Sequence, residues 1–229
     1  MERPLARRLH TIAGAIVLGA FLVEHLLTNA SVLGGAASFD RVVGSMQRWT
    51  YLGVFEVVFI LLPLAYHAGY GLLLLRRPAA DTESTRYTDK RLWVLQRISA
   101  TLVFLLVLAH FLELRAQRLF FGVGPEATYT ILTAHLSWTW AGVPWVALLY
   151  LIGVAAACFH LANGLFAASA LKGWATARMR VLTLALGGAL FVVGFLTVLS
   201  FATGTRLSNP PEGDDIPCGS AVPMTSARP

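Results

Sequence analysis

Four histidines lie deep inside long apolar stretches of this chain: His25, His67, His110 and His160. An imidazole nitrogen can move a proton, or offer its lone pair to zinc, copper, nickel or iron. An ionisable side chain in lipid is costly, and where one occurs it faces the interior of a helix bundle and serves a function. For any single histidine the plain alternative is a hydrogen-bonded packing residue or a cavity liner.

Such side chains must be positioned by elements that cross a bilayer. The 229 residues are 56% hydrophobic and 13% charged, against about 25% charged in a soluble domain. Mean hydropathy is +0.66. A spanning helix needs about 20 mostly apolar residues. Five runs qualify: Thr11–Leu33, Tyr51–Leu75, Trp93–Leu114, Pro144–Ala170 and Val181–Thr203. They must be helices, because lipid offers no partner for an open strand edge. The first run is too long for a cleavable signal peptide and lacks a small-residue cleavage site, so it reads as a retained helix. The net charge of +6 comes from basic residues beside the apolar runs. That points to a membrane surface, with no nucleic-acid partner.

Cys158 lies within a run and Cys218 in a polar tail, too far apart to pair, and no zinc or iron–sulfur spacing exists. The expected fold is an all-α membrane protein of five transmembrane helices, the first four forming a four-helix bundle. The domain covers residues 1–206, and residues 207–229 form a disordered C-terminal tail. Arg3, Arg7 and Arg8, then Arg76, Arg77, Arg86, Lys90 and Arg91, then Lys172, Arg178 and Arg180 mark one side. The other side has Arg41, Arg48, Arg115, Arg118, Arg206 and Arg228. The positive-inside rule puts the N-terminus in the cytoplasm and the tail outside.

Depth then sorts the histidines. His25 and His110 each lie about 15 residues into an outward-running helix, about 22 Å above the inner face. His67 and His160 lie about 16 residues into inward-running helices, which leaves them about 6 Å above that face in a core about 30 Å thick. Two layers result, about 16 Å apart. Each joins two parallel helices, which should be diagonal partners with room for a flat cofactor between them. Two histidines alone make a poor zinc site. A haem brings four equatorial nitrogens, and two axial histidines complete its iron, leaving no open position and favouring electron transfer. The expectation is two b-type haems, with His25, His67, His110 and His160 as metal ligands. Gly14 and Gly19, Gly69 and Gly71, and Gly153 and Gly164 would let a porphyrin or another backbone approach.

At this point the sequence resembles a known family, the five-helix, two-haem cytochrome b subunits of succinate:quinone oxidoreductases. The stretches that carry the likeness are RRLHTIAG (Arg7–Gly14), EHLLTN (Glu24–Asn29), FEVVFILLPLAYHAGYG (Phe55–Gly71), WVLQRISA (Trp93–Ala100), AHFLELR (Ala109–Arg115) and FHLANGLF (Phe159–Phe166). The resemblance implies the same four axial ligands. It also implies an iron–sulfur subunit and a flavoprotein subunit on the cytoplasmic face of a bacterial inner membrane. Succinate would be oxidised by the flavoprotein, and electrons would reach a quinone, menaquinone in many members, through this subunit of succinate dehydrogenase. Related fumarate reductases can carry a glutamate two residues before the fourth-helix ligand, as part of a proton path. Here that residue is Cys158, which tilts the reading toward the dehydrogenase.

Further candidates follow. His10, beside Arg7 and Arg8, is read as binding an inner-haem propionate, contacting the partner subunit, or simply occupying the interface. Gln96 and Arg97 enter the third helix on the same side, where the arginine either meets a haem propionate or snorkels to the interface. Glu24 neighbours one ligand and Glu113 lies about one turn beyond another, placed to pass protons or bind a quinone unless they are merely solvated. Asn29, Arg41, Trp49 and Glu56 are weaker candidates, and His135 reads as a solvated loop residue. Trp49, Tyr51, Trp138, Trp140 and Trp145 fit an aromatic belt. Competing functions are a fumarate reductase subunit working in reverse, the cytochrome b of a hydrogenase or formate dehydrogenase, and a histidine-lined transporter without haem. The cytoplasmic basic face argues against the hydrogenase and formate dehydrogenase types, whose partners usually sit outside.

Overall fold

The computed structural model describes residues 4–76, 90–116, 120–122 and 124–205. Among these residues every regular element is helical, apart from one isolated antiparallel bridge between Trp140 and Val143. The expected tail with Cys218, and Arg3, Arg77, Arg86, Arg118 and Arg206 of the charge pattern, lie outside the described residues.

In chain order the helices are α1 (Leu5–Gly34), α2 (Ala36–Gln47), α3 (Leu52–Leu75), α4 (Lys90–Ala116), α5 (Thr128–Ser137), α6 (Trp145–Ala170) and α7 (Ala177–Thr203). Five of them, α1, α3, α4, α6 and α7, are long and apolar enough to cross a membrane. They coincide with the five apolar runs. α1 and α4 extend past the runs through Arg7, Arg8, Lys90 and Arg91, because these side chains propagate a helix well while reaching for water. The short helices α2 and α5 have no counterpart in the expected element list.

Local chemistry sets several details. Pro63 inside α3 has no N–H for the carbonyl of residue 59, and a widened π-type turn, Glu56–Leu61, lies just before it. Similar turns occur at Ala13–Leu18 in α1 and Phe111–Ala116 in α4. At the start of α7 the Thr176 side chain accepts from the Met179 N–H at 3.1 Å. At its end Gly204, with φ of 70°, turns left-handed and donates to the Ser200 carbonyl at 2.8 Å.

α1 packs against α3 and α6, and α4 packs against α6 and α3. That leaves α1 opposite α4 and α3 opposite α6. The fifth long helix, α7, lies outside this square against α6 and α1. Leu26, Cys158, Leu161 and Leu190 form the seam between them. A Cβ added to Gly187 would stand 2.8 Å from the Ala162 Cβ and 3.1 Å from the Cys158 carbonyl oxygen, so the helices approach closely through small residues. Cys158 therefore sits at the α6–α7 seam.

With the end of α1 drawn upward, α2 and α5 cap the upper end. Val32, Phe39, Leu132, Leu136, Ala147, Val198 and Phe201 form the core there, and Phe39 meets Phe201 edge to face at 5.2 Å. Elsewhere the long helices expose apolar side chains such as Val54, Leu62, Val181 and Leu182. Water would penalise that surface, whereas acyl chains accept it. Trp49, Tyr51, Trp138, Trp140 and Trp145 are exposed at the upper end.

Candidate functional site

The upper layer joins α1 to α4. The rings of His25 and His110 have centres 5.8 Å apart and planes at 82°. The Tyr150 hydroxyl of α6 lies 3.1 Å from His110 Nδ1 and donates to Glu113 Oε2 at 2.5 Å. A hydroxyl has one proton to give, so with that proton directed to Glu113 the tyrosine oxygen accepts from His110 Nδ1–H. His110 is then left with its Nε2 lone pair for a metal. The other Glu113 oxygen is bonded by His135 Nδ1 from α5. Asn29, one turn above His25, donates to the His25 carbonyl at 2.8 Å and touches its Nε2 at 3.4 Å.

The lower layer joins α3 to α6. His67 and His160 have ring centres 6.2 Å apart and planes at 85°. His67 Nδ1 bonds the His10 carbonyl at 3.0 Å, and a carbonyl only accepts, so Nδ1 carries the proton and Nε2 keeps a free lone pair. The His10 ring lies parallel on the His67 ring, 4.1 Å away. A Cβ on Gly14 would overlap the His67 ring at Cε1 and Nδ1, so glycine lets that ring lie against α1. Opposite, Gln96 Nε2 donates to the His160 carbonyl at 3.1 Å and lies 3.0 Å from its Nδ1, while Asn163 holds the Gln96 oxygen at 2.8 Å. Ser99 Oγ lies 3.3 Å from the same His160 Nδ1.

Both pairs have the dimensions of a six-coordinate iron. An imidazole nitrogen bonds a metal at about 2 Å and lies roughly 1 Å from its ring centre, so two rings gripping one iron stand roughly 6 Å apart. Each ring can turn about its own metal–nitrogen axis, so planes near a right angle are allowed. All four rings are only part-buried, although they belong to the middle of long apolar helices. The two layers are well separated along the helices. His67 lies level with Gly14, which is 11 residues below His25 on α1, or about 16 Å of helix. Tyr150, level with His110, is 10 residues from His160 on α6, or about 15 Å. Among the described residues no group of three or more His, Cys, Asp or Glu side chains is gathered for a bare metal ion.

The remaining candidates divide. Gln96 and Glu113 join the two layers as partners of His160 and Tyr150. His10 does so as the platform under His67. Arg97 lies over the Trp93 ring at 4.3 Å and donates to the Leu74 carbonyl at 2.6 Å, satisfying the frayed end of α3. Glu24 is on an exposed face, where Thr28 donates to it at 2.6 Å, turned away from the histidine pairs. Glu56 pairs with Arg115 across α3 and α4. Arg41 lies on α2 and Trp49 just after it, in the upper connection. His135 is exposed, as expected, but its place in a loop is corrected. It stands on helix α5 and pairs with Glu113, because the short helix delivers it to the upper end of α4.

Tyr150, Ser99 and Asn163 escaped the sequence reading. A tyrosine near the start of a span reads as belt. The available signal was depth: 10 residues above His160 on α6 is the level of His110.

No protein-family model matches the chain. It is 31% identical over 160 residues to the succinate dehydrogenase cytochrome b558 subunit of Bacillus subtilis (strain 168), an alignment that covers 70% of this chain and 75% of that protein.

Proposed function

The chain belongs to the family of succinate dehydrogenase cytochrome b558 subunits, and from that premise we propose that it is the membrane anchor and electron-transfer subunit of a succinate:quinone oxidoreductase, with two b-type haems in a four-helix bundle of α1, α3, α4 and α6. The observation that carries the reading is the pairing of His25 with His110 at 5.8 Å and of His67 with His160 at 6.2 Å, in two layers. A haem iron held by two histidines exchanges single electrons between its ferric and ferrous states and leaves no site for oxygen.

This chain's residues do the rest. The four histidines would hold the two haems through their ring nitrogens. The His10 carbonyl and Tyr150 take the outer protons of His67 and His110, fixing which nitrogen of each is left for the iron, and Gln96 and Ser99 hold the His160 ring in place. The Asn29 contact with His25 Nε2, at 3.4 Å, is long enough to yield to a stronger bond. Glu113 and His135 put a titratable pair at the upper rim, where a quinone, menaquinone in this reading, exchanges protons.

The lower end is cytoplasmic. Arg7, Arg8, Arg76, Lys90, Arg91, Lys172, Arg178 and Arg180 gather there and follow the positive-inside pattern. That basic face receives the iron–sulfur subunit, which carries the flavoprotein, and the chain itself does not touch succinate.

The test is haem stoichiometry per polypeptide together with a reduced-minus-oxidised spectrum. Wild-type protein is expected to hold two b haems. His25→Ala and His110→Ala should each lose one, and His67→Ala and His160→Ala the other. A haem-free protein would leave the transporter reading in its place, and two haems in all four variants would refute the pairing.

A further inference from the structure

The two layers are built with different partners behind their ligands. In the lower layer His67 donates to a backbone carbonyl and His160 faces a serine and an amide, all neutral. In the upper layer His110 donates to Tyr150, and Tyr150 donates to the carboxylate of Glu113 at 2.5 Å. Among the described residues this is the one ligand histidine whose hydrogen-bond chain ends on an anion.

Resting on the haem reading above, we propose that Tyr150 and Glu113 act together as a positioning and tuning relay on His110, lowering the reduction potential of the upper haem. A short bond to a carboxylate is charge-assisted, and it makes the tyrosine oxygen a better acceptor. That oxygen then pulls harder on His110 Nδ1–H, and the opposite nitrogen becomes a more basic ligand. A more basic ligand favours the ferric state. Between apolar helices the effect is not diluted as it would be in water. The iron couple takes up one electron, and no bond to His110 is made or broken.

The charged groups around the relay are few. Glu113 Oε1 meets His135 from α5, whose side chain is 49% exposed. Arg115, two residues beyond Glu113, is engaged by Glu56 from α3. His135 engages the other carboxylate oxygen and so competes with Tyr150 for the carboxylate, which opposes the relay.

The experiment is a mediator-coupled redox titration of the intact membrane complex, followed by haem absorbance. The upper wave is identified as the one missing from the His25→Ala complex. Tyr150→Phe and Glu113→Gln should each shift the upper ferrous-to-ferric ratio at fixed ambient potential toward ferrous by about tenfold, which is about 59 mV for one electron. The double variant should shift no further than either single one, because both act through one bond. His135→Leu, which removes the competing hydrogen bond, should move the wave the opposite way, and the lower wave should stay in place. Unmoved or additive upper waves, or equal shifts in both waves, would overturn the relay while leaving the two-haem reading intact. Loss of the upper wave from both single variants would also overturn it, since the pair would then hold the group rather than tune it. A wild-type complex with no haem wave would instead sink the reading on which the relay rests.

Discussion

Gly14→Ala offers a sharp test of the lower layer. The methyl group would occupy the space of the His67 ring, coming within 3.0 Å of even its far nitrogen Nε2. The ring has little freedom to retreat. Its Nδ1 is tied to the His10 carbonyl at 3.0 Å, and the His10 ring is stacked on it at 4.1 Å. Either α1 and α3 separate, at the about 1–3 kcal/mol typical of overpacking, or the ring swings away and gives up a hydrogen bond worth about 1 kcal/mol. Either way about 1–3 kcal/mol is lost from the form proposed to grip iron, and at 1.4 kcal/mol per decade the lower haem should be held roughly 5- to 140-fold more weakly. The assay is haem content per polypeptide after purification, with the upper haem as internal standard. Gly53→Ala, on the same helix as His67, is the control, because a Cβ there meets nothing within 4 Å. The expected result is one haem in Gly14→Ala and two in Gly53→Ala. A Gly14→Ala protein with two haems and an unaltered spectrum would refute the placement of His67 against α1.

Two further outcomes are expected. Gln96→Leu removes the oxygen that holds the buried Asn163 amide and the donor to the His160 carbonyl, and it should cost about 1–3 kcal/mol. Thermal release of haem should begin earlier and from the lower layer, and an unchanged melting profile would contradict this. Gly187→Leu crowds Ala162 and Cys158 at the α6–α7 seam and should destabilise the fold by about 1–3 kcal/mol. Haem stoichiometry should stay at two, because α7 carries no histidine. Haem loss at the growth temperature would show that α7 helps to build the site.

Much of the architecture was legible because it depends on quantities that run along the chain. The number of spans follows from the length of the apolar runs, and Trp93–Leu114 extends to Lys90–Ala116 only because basic ends continue a helix into the interface. The layering follows too. The rise per residue is fixed by backbone hydrogen bonding, so sequence offset converts directly to depth. His25 and His110 fall at one level and His67 and His160 at another, and the folded chain brings those same rings together. The short capping helices were harder to see. α2 and α5 owe their place to a few residues such as Phe39 and Leu136, whose burial depends on the ends of α1, α6 and α7 arriving at the same spot.

What the sequence determined, then, was how many helices cross the membrane and how high each imidazole stands, because both are sums over local backbone geometry. Which atoms back those imidazoles was decided only in three dimensions. That Tyr150 reaches His110, that His135 finds Glu113, and that Glu24 turns to an exposed face all depend on the angular position of each side chain around its helix. Widened turns at Ala13–Leu18, Glu56–Leu61 and Phe111–Ala116 alter that angle within the spans that carry His25, His67 and His110. A π-type turn holds more residues than an α turn, so it rotates everything beyond it while changing depth little, and only the packing of one helix on the next fixes where such a turn falls.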